Sequence, residues 1–507
     1  MKLFSIEDIK AIERATLQQE GVTFHSLVMQ MAASAATEIA SRWRPSIRTI
    51  IFAGHESCGA VGLALAGMLM ERGFNPSIYL FNIGMRSINE ECKRCRDLLR
   101  SKFPDAALIE VVDKVNLPEL KSDDLVIDAL FGSELREPLV GGFTSLVRYI
   151  NDAGATVVSI DVPSGMLGDW NHGVLPRDTV QASLTLSRQF PRLPFFFSEL
   201  AERVGEWKVI DAGMNGEASA NRVSAYYLIE KDEVRSLLRK RNAFSSKADY
   251  GTALLAAGSY GMTGAAVLAC NGALRAGAGK VIVRSPRCSV NVLQAAVPEA
   301  MVNADDAERN IMDFRVNVKY TAMGVGPGIG VNESTIDALE LLLKHTTHPL
   351  VLDADALNCI AQRPALLSHI PMLSVLTPHS GEFDRLFGEH SSSESRLLKA
   401  VDVSRRYRLL ILLKGHYTTL VRPDGKIYIN SSGTPGMATP GSGDVLTGVI
   451  TSLMAQGYKP EVAALIGAFV HGKAGELAVE RHGEYGVLAS DIAANIGTAI
   501  RKIMVNE

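Results

Sequence analysis

The feature that most constrains this sequence is a glycine turn near the C-terminus that runs directly into an apolar helical pattern. Gly441, Ser442 and Gly443 put little side-chain bulk around the backbone, and the apolar positions of 445–453 recur with the period of a buried helix. The first N–H groups of a helix lack internal partners and lie at the positive end of its dipole. The pattern therefore predicts an anion site that suits a phosphoryl group.

Asp444 stands in the first turn of this predicted helix, beside whatever the turn binds. A carboxylate in that position is able to accept a proton from a substrate hydroxyl that attacks a phosphate, which is the role of a general base. Aspartate is also a common capping residue at helix N-termini. The residues alone leave both interpretations of Asp444 open.

Three further segments of the C-terminal half end in polar side chains. An apolar strand breaks at Lys414 and resumes after Thr418, which favours contact with nucleotide phosphates. A Thr-Pro helix start brings His379 and Glu382 into the first turn of another helix. A buried strand ends in Asp-Ala-Asp at 353–355, at the edge where open α/β sheets bind ligands.

The N-terminal half has the strand and helix alternation of a doubly wound, Rossmann-like domain. Two helical patterns precede a strand, a glycine turn at 54–62 and a helix that we expect to begin at Leu63. Later apolar strands end at Asp128 and Asp161, each soon followed by Gly or Pro. An acid at such a strand end indicates a functional or cation-paired residue, with a loop cap as the alternative.

Length and composition set the domain count and exclude several classes of protein. A chain of 507 residues predicts two domains, which we place at 1–222 and 223–507 with a charged linker at the join. A net charge of −3 argues against a nucleic-acid partner. We find no signal peptide and no apolar run long enough for a membrane span, so we expect a cytoplasmic protein without a membrane partner. We also expect a homo-oligomer.

The six cysteines form no disulfide framework. The one close pair, Cys92 and Cys95, lacks a second pair that would complete a zinc site. We therefore interpret the cysteines as reduced, structural thiols.

Residues from about 230 onward resemble the carbohydrate-kinase-like NAD(P)H-hydrate dehydratases, which have the ribokinase-like α/β/α fold. The motifs that carry the resemblance occur in family order along the whole half. They are Lys247–Gly251, Ala257–Ala266, Pro298–Met301, Gly326–Gly330, Thr377–His379 with Gly381-Glu382, Lys414-Gly415 and the Gly-Ser-Gly-Asp turn.

The resemblance implies ADP-dependent dehydration of hydrated NADH or NADPH, a lyase reaction that uses Mg²⁺. Asp444 would be the base, and Glu382 would help to place Mg²⁺ through water. Ala265, Gly328 and His379 would face the hydrate. The residues implied for adenine nucleotide binding are Lys414, Gly415, His416, Tyr417, Thr418, Gly441, Ser442 and Gly443.

Residues 1–222 resemble the NAD(P)H-hydrate epimerase domain, an isomerase that holds K⁺, so the whole chain resembles the fused NAD(P)H-hydrate repair enzymes. The resemblance implies Asp161 as the acid or base, and Asp128 and Ser164 as cation ligands. The matching hydrate-binding positions are Ser57, Cys58, Gly59, Ala60, Val61, Gly132, Arg136 and Asp161.

The glycine turn of the N-terminal half departs from the family pattern Gly-His-Gly-Asn-Asn-Gly-Gly-Asp-Gly. Cys58 replaces an Asn that gives K⁺ an oxygen, Val61 replaces an Asp, and Glu134 replaces a glycine in the phosphate-binding loop. A thiol is a poor ligand for a hard cation. We therefore expect weakened K⁺ binding and a weak or inactive epimerase.

Two other functions are compatible with these motifs. The same glycine turn and aspartate serve small-molecule kinases of the ribokinase-like fold, and the N-terminal domain would then be a noncatalytic binding or assembly module.

Overall fold

The computed structural model describes residues 1–83, 88–113 and 117–505 and divides the chain into two compact units. These units are Lys2–Ser224 and Ala225–Glu507. The division falls between Ser224 and Ala225, whereas the sequence placed it after residue 222. Each unit has its own β-sheet with flanking helices, so the expected α/β fold class is confirmed.

The N-terminal unit is built on a parallel sheet. Its strands, in spatial order, are Leu108–Val111, Ser77–Phe81, Thr49–Ala53, Leu125–Ala129, Thr156–Ile160, Leu184–Arg188 and Glu206–Ile210. The central strands are buried on both faces, as continuous apolar runs in parallel sheets require. A short strand, Lys2–Leu3, precedes the first helix.

Helices flank this sheet, and four of them begin at a side chain that caps the helix N-terminus: Ser5, Thr23, Asn89 and Asn215. The α-helices are Ile6–Leu17, Phe24–Arg42, Ser57–Glu71, Glu90–Lys102, Gly142–Asp152, Ala201–Val204 and Gly216–Asn221. Short 3₁₀ helices are Gly132–Glu134, Pro176–Asp178 and Leu193–Phe196. The two helices expected before residue 43 are confirmed, with a break at the left-handed Gly21.

The glycine turn expected at 54–62 is wrong in its extent, because the helix begins at Ser57 instead of Leu63. Gly59 lies so close to the backbone of Gly54 that a Cβ there would overlap the Gly54 carbonyl oxygen. Absence of a side chain therefore lets the helix start directly above the strand end. The apolar Cys58, Ala60 and Val61 continue the buried face of this helix instead of forming an open loop.

The C-terminal unit has a mainly parallel sheet with one antiparallel meander. Its strands, in spatial order, are Tyr226–Ile229, Ile427–Asn430, Thr419–Val421, Leu410–Leu413, Val375–Leu376, Leu350–Leu352, Ala322–Val325, Thr252–Ala256, Lys280–Ser285 and Met301–Ala304. Thr419–Val421 is antiparallel to both neighbours. This hairpin confirms the strand that breaks at Lys414 and resumes beyond Thr418.

The helices of this unit place the glycine turn over the sheet. The α-helices are Lys231–Leu237, Thr263–Arg275, Val290–Ala296, Glu333–His345, Asp355–Gln362, Ser380–Phe387, Ser393–Tyr407, Ser442–Ala455, Pro460–His482 and Ala489–Met504. The 3₁₀ helices are Lys247–Tyr250, Arg287–Ser289, Pro364–His369 and Pro435–Met437. A Cβ at Gly448 would overlap the carbonyl oxygen of Ala269, so Ser442–Ala455 and Thr263–Arg275 pack backbone to backbone.

The expectation that no apolar segment is long enough to span a membrane needs correction. Pro460–His482 has sufficient length and apolar composition, but 72% of its most apolar window is buried inside the protein. It contributes Ile466, Phe469 and Val470 to the core of the C-terminal unit. Its apolar character is therefore explained by packing.

Candidate active sites in the two units

The expected glycine turn and helix are confirmed in the C-terminal unit. Gly441 is the residue before helix Ser442–Ala455 and has a φ of 88°, a left-handed conformation that favours glycine. Asp444 lies in the first turn, whereas the N-cap position of the helix belongs to Gly441. The capping interpretation of Asp444 therefore loses its main support.

Lys414 links three of the segments that the sequence singled out. Its Nζ donates to Asp353 Oδ1 at 2.8 Å and lies 3.7 Å from Glu382 Oε2. A backbone bridge pairs Lys414 with His379. Burial alone would lower the pKa of Lys414, but the charges of Asp353 and Glu382 raise it, so the ammonium stays charged.

Asp444 lies in a region of excess negative charge. Burial, and then the charge of Asp353, raise the pKa of Asp444 to about 7, while Lys414 opposes this rise. Asp355 and Glu382 add smaller effects in the same direction as Asp353. A carboxyl group with this pKa exchanges protons readily near neutral pH, as a general base must.

A cleft of about 900 Å³ opens over the glycine turn. Of the predicted nucleotide and hydrate residues, the following line it: His379, Lys414, Gly415, His416, Thr418, Ser442 and Gly443. Gly441 packs against Leu268, and Tyr417 packs its ring against His416. The cleft is large enough for a nucleotide-sized ligand.

The predicted hydrate-binding residues Ala265 and Gly328 also lie together. A Cβ at Gly328 would come within 3.0 Å of the Ala265 Cβ and 2.9 Å of the Met262 carbonyl oxygen. The loop that contains Gly328 continues to Gly330, whose N–H donates to Asp355 at 2.9 Å. Asp355 in turn raises the pKa of Asp444, so this loop reaches the electrostatic surroundings of the proposed base.

Sequence reasoning missed two residues of this site. Asp353 was noted only as a strand-end acid, yet its two oxygens accept hydrogen bonds from Lys414 and, at 2.6 Å, from Thr447 Oγ1. His471 lies 3.4 Å from Ser442 Oγ, and burial lowers its pKa to about 4, so it is neutral near pH 7. The strand-end position was a signal for Asp353, whereas His471 lies in a pattern typical of a buried helix.

In the N-terminal unit, Asp161 is fully engaged by protein groups. Arg192, which is completely buried, donates from Nη2 to Asp161 Oδ1 at 2.7 Å. Ser133 donates to Asp161 Oδ2 from its hydroxyl and, at 3.0 Å, from its N–H. Burial alone would raise the pKa of Asp161, but Arg192, Arg188 and Ser133 lower it to about 2.

The residues matched to a cation site do not fit K⁺. Asp128 is buried, and its two oxygens accept four hydrogen bonds: from Ser159 Oγ at 2.9 Å, from Ser164 Oγ and N at 2.6 and 2.8 Å, and from Leu130 N at 3.3 Å. Cys58 directs its thiol at the Ile160 carbonyl, 3.7 Å away. Protein donors thus occupy the oxygens that a hard cation would need.

Half of the predicted hydrate-binding residues of the epimerase-like unit line a cavity of only about 60 Å³. Ser57, Cys58, Val61 and Asp161 line it, together with Glu134. Gly59 and Ala60 are buried in the helix, and Gly132 packs against the Cys58 side chain. Arg136 is exposed and does not line the cavity, so its predicted contact with a ligand there lacks support.

The two folds and the open cleft define a two-domain α/β protein whose C-terminal unit has the sheet and the glycine-opened helix of ribokinase-like enzymes. Two family models match: residues 253–498 match NAD(P)H-hydrate dehydratase, and residues 25–193 match the YjeF-related protein N-terminus.

Two relatives with similar sequences agree with these matches. The chain is 33% identical to a bifunctional NAD(P)H-hydrate repair enzyme of Moorella thermoacetica, over 90% of this chain and 88% of the relative. It is 29% identical to the enzyme of the same description from Thermofilum pendens, over 99% of this chain and 97% of that relative. A Bacillus subtilis ADP/ATP-dependent NAD(P)H-hydrate dehydratase, co-crystallised with ATP and Mg²⁺, is 31% identical, with a TM-score of 0.48 over 55% of this chain and 98% of that one.

The chain belongs to the family of bifunctional NAD(P)H-hydrate repair enzymes. The match spans both units, so this assignment does not favour a small-molecule kinase with an unrelated binding module.

Proposed function

We propose that this chain repairs NADH and NADPH whose nicotinamide ring has been hydrated, and that the C-terminal unit performs the dehydration. The observation that carries the proposal is Asp444, a carboxylate with a pKa of about 7 in the first turn of a glycine-opened helix. Membership of the repair-enzyme family supports the choice of substrate. The open cleft beside the turn supports nucleotide binding.

In the proposed reaction, Asp444 accepts the proton of the hydrate hydroxyl as that oxygen attacks the terminal phosphoryl group of ADP. AMP and a phosphorylated hydrate result. The ring nitrogen then pushes electrons into the ring as phosphate leaves, and loss of a proton from the adjacent carbon restores the double bond. The N–H groups of Ser442 and Gly443 would stabilise charge on the transferred phosphoryl group.

Lys414 and its neighbours are proposed to hold the nucleotide. Lys414 Nζ is paired with Asp353 and Glu382, and a phosphate would compete with these carboxylates for the same ammonium. Gly415, His416, Tyr417 and Thr418 would contact the rest of the nucleotide. Ala265, Gly328 and His379 would face the hydrate.

The carboxylates around Lys414 fit Mg²⁺. Asp353 and Glu382 surround the Lys414 ammonium. Burial is the largest cause of the raised pKa of Asp444, and the negative charges of these two carboxylates raise it further. Mg²⁺ favours carboxylates and phosphates and, when bound, would neutralise charge on the nucleotide. Glu382 would hold the ion through water, since its Oε2 already accepts a hydrogen bond from His379 N at 2.9 Å.

We propose in addition that the N-terminal unit is a weak or inactive epimerase. Asp161 is held as an anion by Arg192 and Ser133, which disfavours a role in moving protons near neutral pH. The saturated Asp128 and the thiol of Cys58 disfavour K⁺. The cavity of about 60 Å³ is far smaller than a dinucleotide requires.

The dehydratase proposal is tested by the near-ultraviolet absorbance of reduced nicotinamide when the protein meets NADH hydrate with ADP, ATP or no nucleotide. We expect absorbance to rise with ADP and to stay flat without nucleotide. Phosphorylation of an unrelated alcohol, with no turnover of the hydrate, would contradict the proposal and support a kinase.

A further inference from the structure

A histidine, a glutamate and a cysteine from two helices of the N-terminal unit converge outside the cavity described above. His25 is the second residue of helix Phe24–Arg42, whose start is fixed by a reciprocal capping box between Thr23 and Ser26. Glu91 is the second residue of helix Glu90–Lys102. Cys95 follows Glu91 by four residues and therefore lies on the same face.

The three side chains meet at one carboxylate oxygen. His25 Nδ1 lies 2.5 Å and Cys95 Sγ 3.5 Å from Glu91 Oε1. All three donor atoms lie within 4.8 Å of one another. Cys95 is buried, whereas the His25 and Glu91 side chains are 19% and 11% exposed to solvent. Solvent can therefore reach the cluster.

We propose that His25 Nδ1, Glu91 Oε1 and Cys95 Sγ form a Zn²⁺ site with a fourth position open to water. Imidazole nitrogen, carboxylate oxygen and thiolate sulfur are the donors that Zn²⁺ takes in proteins, and the thiolate disfavours Mg²⁺ and Ca²⁺. Zinc bonds of about 2.0 to 2.3 Å in a tetrahedron separate ligand atoms by roughly 3.3 to 3.8 Å. Opening the 2.5 Å His25–Glu91 contact by about 1 Å reaches that separation.

Cys92 is not a member of this site. Its Sγ points to the Gly54 carbonyl oxygen at 3.6 Å and its side chain is fully buried. The Cys-x-x-Cys spacing is thus misleading, because the partners of Cys95 are the adjacent Glu91 and the distant His25. This explains why counting cysteine pairs gave no metal site.

The site lies beside the segment that leads from strand Thr49–Ala53 into helix Ser57–Glu71. Asn89 N donates to the His55 carbonyl oxygen at 3.0 Å, and the Cys92 thiol contacts Gly54. Zn²⁺ would tie the starts of two helices together next to this segment. Its effect is on the stability of the N-terminal unit and does not depend on the proposed dehydratase reaction.

The test is titration of the metal-free, full-length protein with Co²⁺ as a spectroscopic substitute, followed by Zn²⁺ competition with a chromophoric chelator. We expect a near-ultraviolet sulfur-to-cobalt charge-transfer band and visible bands of tetrahedral intensity. Cys95→Ser abolishes the charge-transfer band. Loss of a residue that only hydrogen-bonds a metal ligand lowers metal affinity by about 10- to 100-fold. His25 would bind the metal directly, so His25→Ala should lower Zn²⁺ affinity by more than about 100-fold.

Cys288→Ser is the matched control, since Cys288 is a half-buried thiol in the C-terminal unit. We expect it to keep wild-type metal binding, and we expect Zn²⁺ to raise the melting temperature of wild type and of this control only. His25 is partly exposed, so His25→Ala keeps the fold and allows the comparison even if Cys95→Ser is unstable. Wild-type protein without a sulfur-to-cobalt band, or Zn²⁺ affinity unchanged in His25→Ala, would overturn the proposal.

Discussion

The two units each place an aspartate near the end of a buried strand or at a glycine turn, yet their surroundings give these carboxylates opposite properties. Asp444 follows Gly443, which lines a cleft of about 900 Å³, and burial with neighbouring carboxylates raises the pKa of Asp444 to about 7. Asp161 lines a cavity of about 60 Å³, and two arginines and a serine lower its pKa to about 2. A matching motif residue therefore identifies a position, whereas its neighbours decide whether it can carry a proton.

Replacing Asp444 is the change with the largest expected effect on this comparison. Asp444→Asn removes the proton acceptor with little change in volume, so the dehydration rate should fall by about 10²- to 10⁴-fold. Nucleotide binding measured by calorimetry should stay close to wild type. Turnover near the wild-type rate would show that Asp444 is not the base.

Breaking the buried ion pair of Arg192 and Asp161 tests the account of the N-terminal unit. Arg192→Met leaves Asp161 buried without its cation, which should cost about 3 to 5 kcal/mol of stability. Hydrogen exchange should speed up in strand Thr156–Ile160 and not in strand Thr252–Ala256 of the other unit. Arg136→Met, at an exposed position, is the matched control. Unchanged exchange in Arg192→Met would mean that the pair does not hold Asp161.

Lys414 tests the assignment of the open cleft to a nucleotide. Lys414→Ala should weaken ADP binding by about 10- to 100-fold, since a hydrogen bond to a charged group contributes about 1.5 to 3 kcal/mol. Binding of a reduced dinucleotide should change little. Separate calorimetric titrations with the two ligands decide, and equal losses would instead indicate general destabilisation.

The smallest expected effect is a shift in the pH profile of dehydration. Asp444 acts when deprotonated, so the rate should rise as pH increases through about 7. Asp353 raises the pKa of Asp444 and Lys414 lowers it. Asp353→Asn should therefore move the acidic limb to lower pH, and Lys414→Ala should move it to higher pH. Shifts in the same direction would contradict the electrostatic account.

Much of the fold and of the C-terminal site was predictable because the signals are local. The period of 445–453 predicted helix Ser442–Ala455, and the break at Lys414 predicted the hairpin. The extent of the N-terminal glycine turn was not predictable, because a backbone contact between Gly54 and Gly59 sets the helix start.

The interactions that decide proton transfer join residues far apart in the chain. Arg192, which follows strand Leu184–Arg188, donates to Asp161, which follows strand Thr156–Ile160. Lys414, at the end of strand Leu410–Leu413, donates to Asp353, at the end of strand Leu350–Leu352. The Leu184–Arg188 strand, which was not identified from the sequence, sets the position of the segment that carries Arg192. Sequence motifs identify each of these charged residues separately, but they do not show which charged residues contact each other.

The most direct test of the contrast between the two units follows reduced nicotinamide absorbance as the protein acts on an R/S mixture of NADH hydrate with ADP. We predict a fast rise limited to the epimer that the C-terminal unit dehydrates, then a slow phase at the spontaneous rate of epimerisation, insensitive to K⁺ and unchanged in Asp161→Asn. Addition of an active epimerase should convert the slow phase into a fast one. A single fast rise to completion that depends on K⁺ and is lost in Asp161→Asn would contradict the account.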